Sequence, residues 1–244
     1  MEVLVARQHS RGPALTDQAL KSFYQTAKQT VSAARFDFEG EWQKSVLGQG
    51  FLERDLLREA AWVILCSGFN ERVVRRHFDE ISLCFCDWYS AEYIVSRRDR
   101  CWSTAMAVFG NARKITAIVQ ACDYVYEQGF SLLSQRIQAD PIQELGKLPF
   151  IGPVTSYHLA KNLGIDVVKR DRHLLRLASY LGFGSPEEMC GAFGRQVGEP
   201  VSVVDIVLWR YCTLSSFTSL QTLIASDSVG EASPTQGLAP LPNL

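Results

Sequence analysis

The stretch IQELGKLPFIGPVTSYHLAKNLGIDVVKRDRHLLR, from Ile142 to Arg176, decides how the chain is read. A short apolar helix carrying Ile142 and Leu145 runs into Leu148-Pro149-Phe150-Ile151-Gly152. Pro153 then takes the first position of a second helix, where a missing N–H costs nothing. Two helices joined by so short a turn form a helix-hairpin-helix. Its turn is expected to aim Gly152 and the unpaired amides of the second helix outward, where they suit a phosphate oxygen. Asp171 comes farther on, flanked by Lys169, Arg170, Arg172 and His173. A phosphate cradle followed by one carboxylate points to chemistry on DNA.

LPFIGPVT (Leu148 to Thr155) and Asp171-Arg172-His173 resemble the LPGVGxKT hairpin and D-x-H segment of the helix-hairpin-helix DNA glycosylases, the group of endonuclease III and of the adenine and alkyladenine glycosylases. Weaker cues extend from about Leu56 to Cys212. The resemblance implies an all-α, two-lobed fold with a cleft between the lobes. It implies excision of a damaged or modified base from double-stranded DNA, with Asp171 as the essential carboxylate. Backbone amides near Ile151, Gly152 and Val154 would hold a phosphate, assisted by a monovalent cation at the hairpin. Leu148, Thr155, Lys169, Arg170, Arg172 and His173 would lie beside the strand. Two positions depart from the pattern. Phe150 replaces the usual first glycine, and Val154 stands where bifunctional members carry their Schiff-base lysine. The four-cysteine iron–sulfur cluster of endonuclease III is not expected, because Cys190 and Cys212 lack two partners at the required spacing.

Breaking an N-glycosidic bond leaves a sugar with oxocarbenium character, which a fixed carboxylate stabilises while taking a proton from attacking water. Asp171 suits that role. An Asp opening a helix is also commonly an N-cap, here for the amides of Leu174 or Leu175, and the two roles are compatible. Val154 cannot form a Schiff base, and Lys161, Lys169 and Lys114 do not match the family's lysine position. The expectation is therefore a monofunctional enzyme using water, acting as a monomer. The alternative is a non-catalytic DNA-binding protein that keeps the hairpin.

Twenty-five basic and 26 acidic side chains in 244 residues leave a net charge of −1, so DNA affinity must come from local patches. Arg72-Val73-Val74-Arg75-Arg76, Arg97-Arg98-Asp99-Arg100 and the run from Lys169 to Arg176 are the candidates, the first two reading equally as solvated helix faces. Seven cysteines without a preceding secretory segment suggest reduced thiols in a cytoplasmic or nuclear setting, and no apolar run is long enough to span a bilayer.

In chain order, residues 1 to about 16 read as a flexible arm and Asp17 as the N-cap of a first helix to about Ala34. Phe36 to Gly50 mixes aromatics and glycines and reads as irregular. Leu56 to Phe69 is apolar nearly all round, the mark of a central buried helix. At its end, Phe69 or Asn70 is placed to be the wedge filling the gap left by an extruded base, with a plain helix end at Gly68 as the other reading. Trp88, Tyr89 and Tyr93 are either core or a stacking surface. Asn111 caps a helix to Gln128. Asp140-Pro141 starts the segment leading to the hairpin, and helices follow at Arg172, Ser185-Pro186 and Val201. The region 17–225 thus reads as the helical body, with 226–244 as a disordered tail.

Overall fold

The computed structural model describes residues 16–215, and every regular element within them is helical. The helices are α1 (Asp17–Ala33), α2 (Asp37–Val46), α3 (Glu53–Cys66), α4 (Glu71–Cys84), α5 (Ala91–Val95), α6 (Arg98–Val108), α7 (Ala112–Gln128), α8 (Phe130–Ala139), α9 (Pro141–Leu145), α10 (Thr155–Asn162), α11 (Arg172–Tyr180), α12 (Pro186–Val197) and α13 (Val201–Leu214). Thr16, assigned from sequence to the arm, is the cap of α1: its Oγ1 accepts the Ala19 amide at 3.2 Å, and Asp17 is already helical. The rest of the arm, the end of the expected body (216–225) and the 226–244 tail lie outside the described residues.

Apolar residues three and four apart build two hydrophobic cores. The larger is centred on α3, whose Leu56, Leu57, Ala60, Ala61, Val63, Ile64 and Leu65 are all buried. It is completed by Ile81, Phe85, Ile115, Ile118, Ile137, Leu145 and Leu159 from α4 to α10. The second joins the two ends of the described chain: Phe23, Tyr24 and Ala27 of α1 meet Leu174, Leu177, Phe193, Val204, Leu208 and Tyr211 of α11 to α13. Each Leu, Ile, Val or Phe among them contributes about 1.5–3 kcal/mol on burial, so these seams, rather than propensity, hold the short helices.

The region 36–50, expected to be irregular, contains α2. Gly40 is tolerated because the helix lies against α13, where a Cβ would meet Val207 at an ordinary 3.8 Å. Gln43, one turn on, is buried where α2 meets α10, its Nε2 donating to the Lys161 carbonyl at 3.1 Å. The end of α2 also pins the exit of α10. Gly48 donates to the Gly164 carbonyl at 3.2 Å, and any Cβ on Gly164, at φ +77°, would lie 2.1 Å from the Val46 oxygen.

Trp88 belongs to the core. It is 2% exposed, stacks on Phe85 with ring centres 5.0 Å apart and donates to Ser82 Oγ. Its burial holds Cys86, Asp87 and Trp88 in three successive left-handed conformations, which non-glycine residues rarely adopt. Tyr89, by contrast, is 76% exposed, and the Arg97 guanidinium covers the Tyr93 ring at 3.6 Å. No described helix is long and apolar enough to cross a membrane.

Candidate nucleic-acid interface

The hairpin forms, with a different start to its second helix. Pro153 and Val154 lie in the turn and α10 begins at Thr155; within the turn the Gly152 carbonyl accepts from Ser156 at 2.9 Å and Gly152 N–H is captured by Thr155 Oγ1 at 2.7 Å. Ile151 N–H donates to the Leu148 carbonyl. Of the three amide positions expected to face a phosphate, those at Ile151 and Gly152 are therefore engaged inside the turn. The Val154 amide makes no hydrogen bond among the described residues, and the Val154 side chain is exposed. The side chains of Leu148 and Ile151 are buried in the larger core, so they shape the turn and do not reach a ligand. The Thr155 hydroxyl, expected as a strand contact, also serves the turn.

Phe150 has φ +68°. The position thus demands the left-handed backbone that glycine adopts freely, and a phenylalanine supplies it under strain. Its ring lies close to two cations, the Arg113 guanidinium at 4.9 Å and the Lys114 ammonium at 5.1 Å. Arg113, Thr116, Gln120, Pro149 and Phe150 surround an open hollow of about 450 Å³.

Asp171 caps α11. Its Oδ1 accepts the amides of His173 at 2.8 Å and Leu174 at 3.0 Å, while Leu175 N–H goes to the Asp171 backbone carbonyl. Its Oδ2 makes no hydrogen bond among the described residues, and the residue is half-buried. The cap therefore fixes the carboxylate and leaves one oxygen open. His173 steadies Asp171 through its backbone amide; its ring lies beside Arg172, with Nε2 3.4 Å from Arg172 Nε.

The segment ahead of Asp171 is tied to α13 by two acids. Asp166 accepts the Ser202 amide and hydroxyl at 2.8 and 2.7 Å, and Asp205, buried, accepts the Lys169 amide and the Lys161 ammonium, the latter at 2.6 Å. Arg170 turns outward to pair with Glu187, its guanidinium 5.9 Å from the Tyr157 ring of α10. The hairpin's second helix and the Asp171 segment are thereby neighbours. His158, in the same stretch of α10, is held neutral: desolvation, then the charges of Lys169 and Lys161, push it down to about 3. Desolvation also lowers Lys169, partly offset by Asp171.

Gly68, at φ +73°, ends α3. Phe69 is 42% exposed, its ring 5.5 Å from Phe109 and 5.0 Å from the Lys114 ammonium. Asn70 is occupied as the cap of α4, its Oδ1 accepting the Arg72 amide at 2.9 Å, which leaves Phe69 as the free side chain of the pair. Lys114, set aside above as a Schiff-base lysine, has a structural place. It is buried, and its ammonium donates to the Ile64 and Ser67 carbonyls at the end of α3. Of the basic patches, Arg75 pairs with Glu71 and Arg98 with Asp123, whereas Arg72 and Arg176 are exposed.

Among the described residues no group of three or more His, Cys, Asp or Glu side chains is arranged to hold a metal ion. Compared with known protein families, curated sequences and solved structures, the chain gives no significant match.

Proposed function

We propose that the chain is a DNA glycosylase of base-excision repair, a monomer hydrolysing the N-glycosidic bond of a damaged or modified base in double-stranded DNA. The observation that carries the reading is the state of Asp171: one carboxylate oxygen is locked by the α11 amides, the other is open, and the segment lies against the hairpin helix. The presence of two hydrophobic cores supports a two-lobed reading, and the segment 158–171 passes from one to the other, giving Leu159, Ala160 and Leu163 to the larger and Val168 to the second. Water attacks C1′ as the bond to the base breaks; the open oxygen of Asp171 stabilises the cationic sugar and accepts the water's proton. Val154 offers no amine at the position of the family's lysine, Lys161 is bound to Asp205 and Lys114 to two carbonyls, which favours hydrolysis without strand nicking and leaves Lys169 as the lysine that borohydride trapping tests. The hairpin holds the backbone through the Val154 amide and a monovalent cation, Lys169, Arg170, Arg172 and His173 flank the strand, and Phe69 fills the vacated stack. The setting would be the nucleus or a cytoplasmic nucleoid.

The test is single-turnover release from duplexes carrying alkylated, oxidised, deaminated or hypermodified bases, with borohydride trapping alongside. Release without a trapped protein–DNA adduct is expected. The second reading, a non-catalytic DNA-binding protein, draws on the internal capture of the Ile151 and Gly152 amides. It gains if abasic or mismatched duplex is bound and no base is released.

A further inference from the structure

Lys169 is the cation that the surrounding hydrogen bonds leave aside. Its amide is fixed on Asp205, yet its ammonium makes no hydrogen bond or ion pair among the described residues, although the residue is partly buried. The neighbouring Lys161 takes the Asp205 carboxylate for itself. A sheltered ammonium without a direct partner is unfavourable, so folding alone gives no reason for it. The chain also turns sharply here: Asp171 N–H donates to the Lys169 carbonyl at 2.8 Å, closing a three-residue turn. Arg170, between the two, faces Glu187 and Tyr157, while Lys169 and Asp171 interact electrostatically with each other.

Hydrolysis of a glycosidic bond to a neutral base needs a second proton transfer, because the departing nitrogen is a poor leaving group unless protonated. We propose that Lys169 is the general acid of the reaction, donating a proton from Nζ to the leaving base while Asp171 receives one from the attacking water. The inference rests on the glycosylase reading. As the C1′–N bond breaks and the C1′–O bond forms, the base departs carrying the lysine proton. The Asp171 carboxyl, now protonated, returns a proton to the Lys169 amine, and both groups are restored with one water consumed. The groups facing Lys169 are Asp171 on its own segment, Lys161 and His158 of α10, Asp205 of α13 and Cys66 at the end of α3. Desolvation and Lys161 make its ammonium a stronger acid than an ordinary lysine, with Asp171 and Asp205 opposing.

The experiment compares wild type, Lys169→Met and Lys169→Arg on duplexes carrying neutral bases (hypoxanthine, uracil, 8-oxoguanine) and the cationic N7-methylguanine, which leaves without further protonation. Lys169→Met is expected to slow release of the neutral base by about 100-fold or more, with Lys169→Arg not restoring it. At saturating protein, release of the cationic base is expected to fall far less than that of the neutral base, since a lost strand contact weakens binding of both duplexes alike, and an unfolding midpoint close to wild type shows that the variant folds. With the neutral base alone, the wild-type rate should fall as alkaline pH removes the lysine proton, and that limb should vanish in Lys169→Met. Equal losses on both kinds of base, rescue by arginine, wild-type release of cationic bases only, or a borohydride adduct lost in Lys169→Met would each overturn the assignment. Release of neither kind by the wild type would remove the glycosylase reading, and this inference with it.

Discussion

Phe150 and Lys114 meet at the hairpin: the ammonium lies 5.1 Å from the centre of a ring carried by a left-handed residue. The same ammonium lies 5.0 Å from Phe69, so one buried cation joins the hairpin to the candidate wedge loop. Backbone strain and ring packing can be separated at Phe150. Phe150→Ala and Phe150→Gly lose the ring equally, and only glycine relieves the positive φ. Phe150→Gly should therefore be the more stable of the two by about 1–2 kcal/mol in urea unfolding, the reverse of their order in a helix. Equal midpoints would mean that the turn relaxes once the ring is gone.

Lys114→Met retains a long apolar stem but strips the Ile64 and Ser67 carbonyls of their donor. Leaving buried carbonyls unpaired costs about 1–3 kcal/mol. A lower denaturation midpoint with an unchanged m-value is expected, and no shift would show that water replaces the ammonium.

The pair Lys161–Asp205 anchors α10 and the segment ahead of Asp171 against α13. Lys161→Met leaves an uncompensated buried carboxylate and should destabilise by about 3–5 kcal/mol. Adding Asp205→Leu should recover part of that loss, although it frees the Lys169 amide. A double variant less stable than the single one would contradict this account of the pair.

His158 stays neutral in the folded chain down to about pH 3, whereas in the unfolded chain it takes up a proton near its ordinary 6.5. Between those values the unfolded state binds more protons, so stability is full above pH 6.5 and declines as pH falls, by up to about 1.4 kcal/mol per unit from this group. His158→Leu should flatten the acid side of the stability profile by one proton. A profile parallel to wild type would place the histidine in solvent.

The sequence disclosed the parts of the fold whose signals are local. Asn111, Asp140, Ser185 and Asp171 each accept amides from the helix they open, as their residue types suggest. The left-handed turn survives at Phe150 because the position, and not the residue, sets the conformation. Local signals misled where packing intervened. Gly40 and its aromatic neighbours concealed α2, which forms because α13 covers it. The Gly152 amide was read as free because the Thr155 hydroxyl that captures it belongs to the next helical turn. Lys114 and Lys169 stand out in the sequence only by their place near the hairpin, since the burial and the partners that mark each are assembled from helices far apart in the chain.

The central claim is tested most directly by Asp171→Asn, which keeps an oxygen for the α11 cap and removes the charge. On a duplex whose damaged base the wild type releases, the account predicts that the variant loses base release in single turnover while binding the same duplex as tightly as wild type or more so. Release at the wild-type rate by a folded Asp171→Asn protein would contradict it.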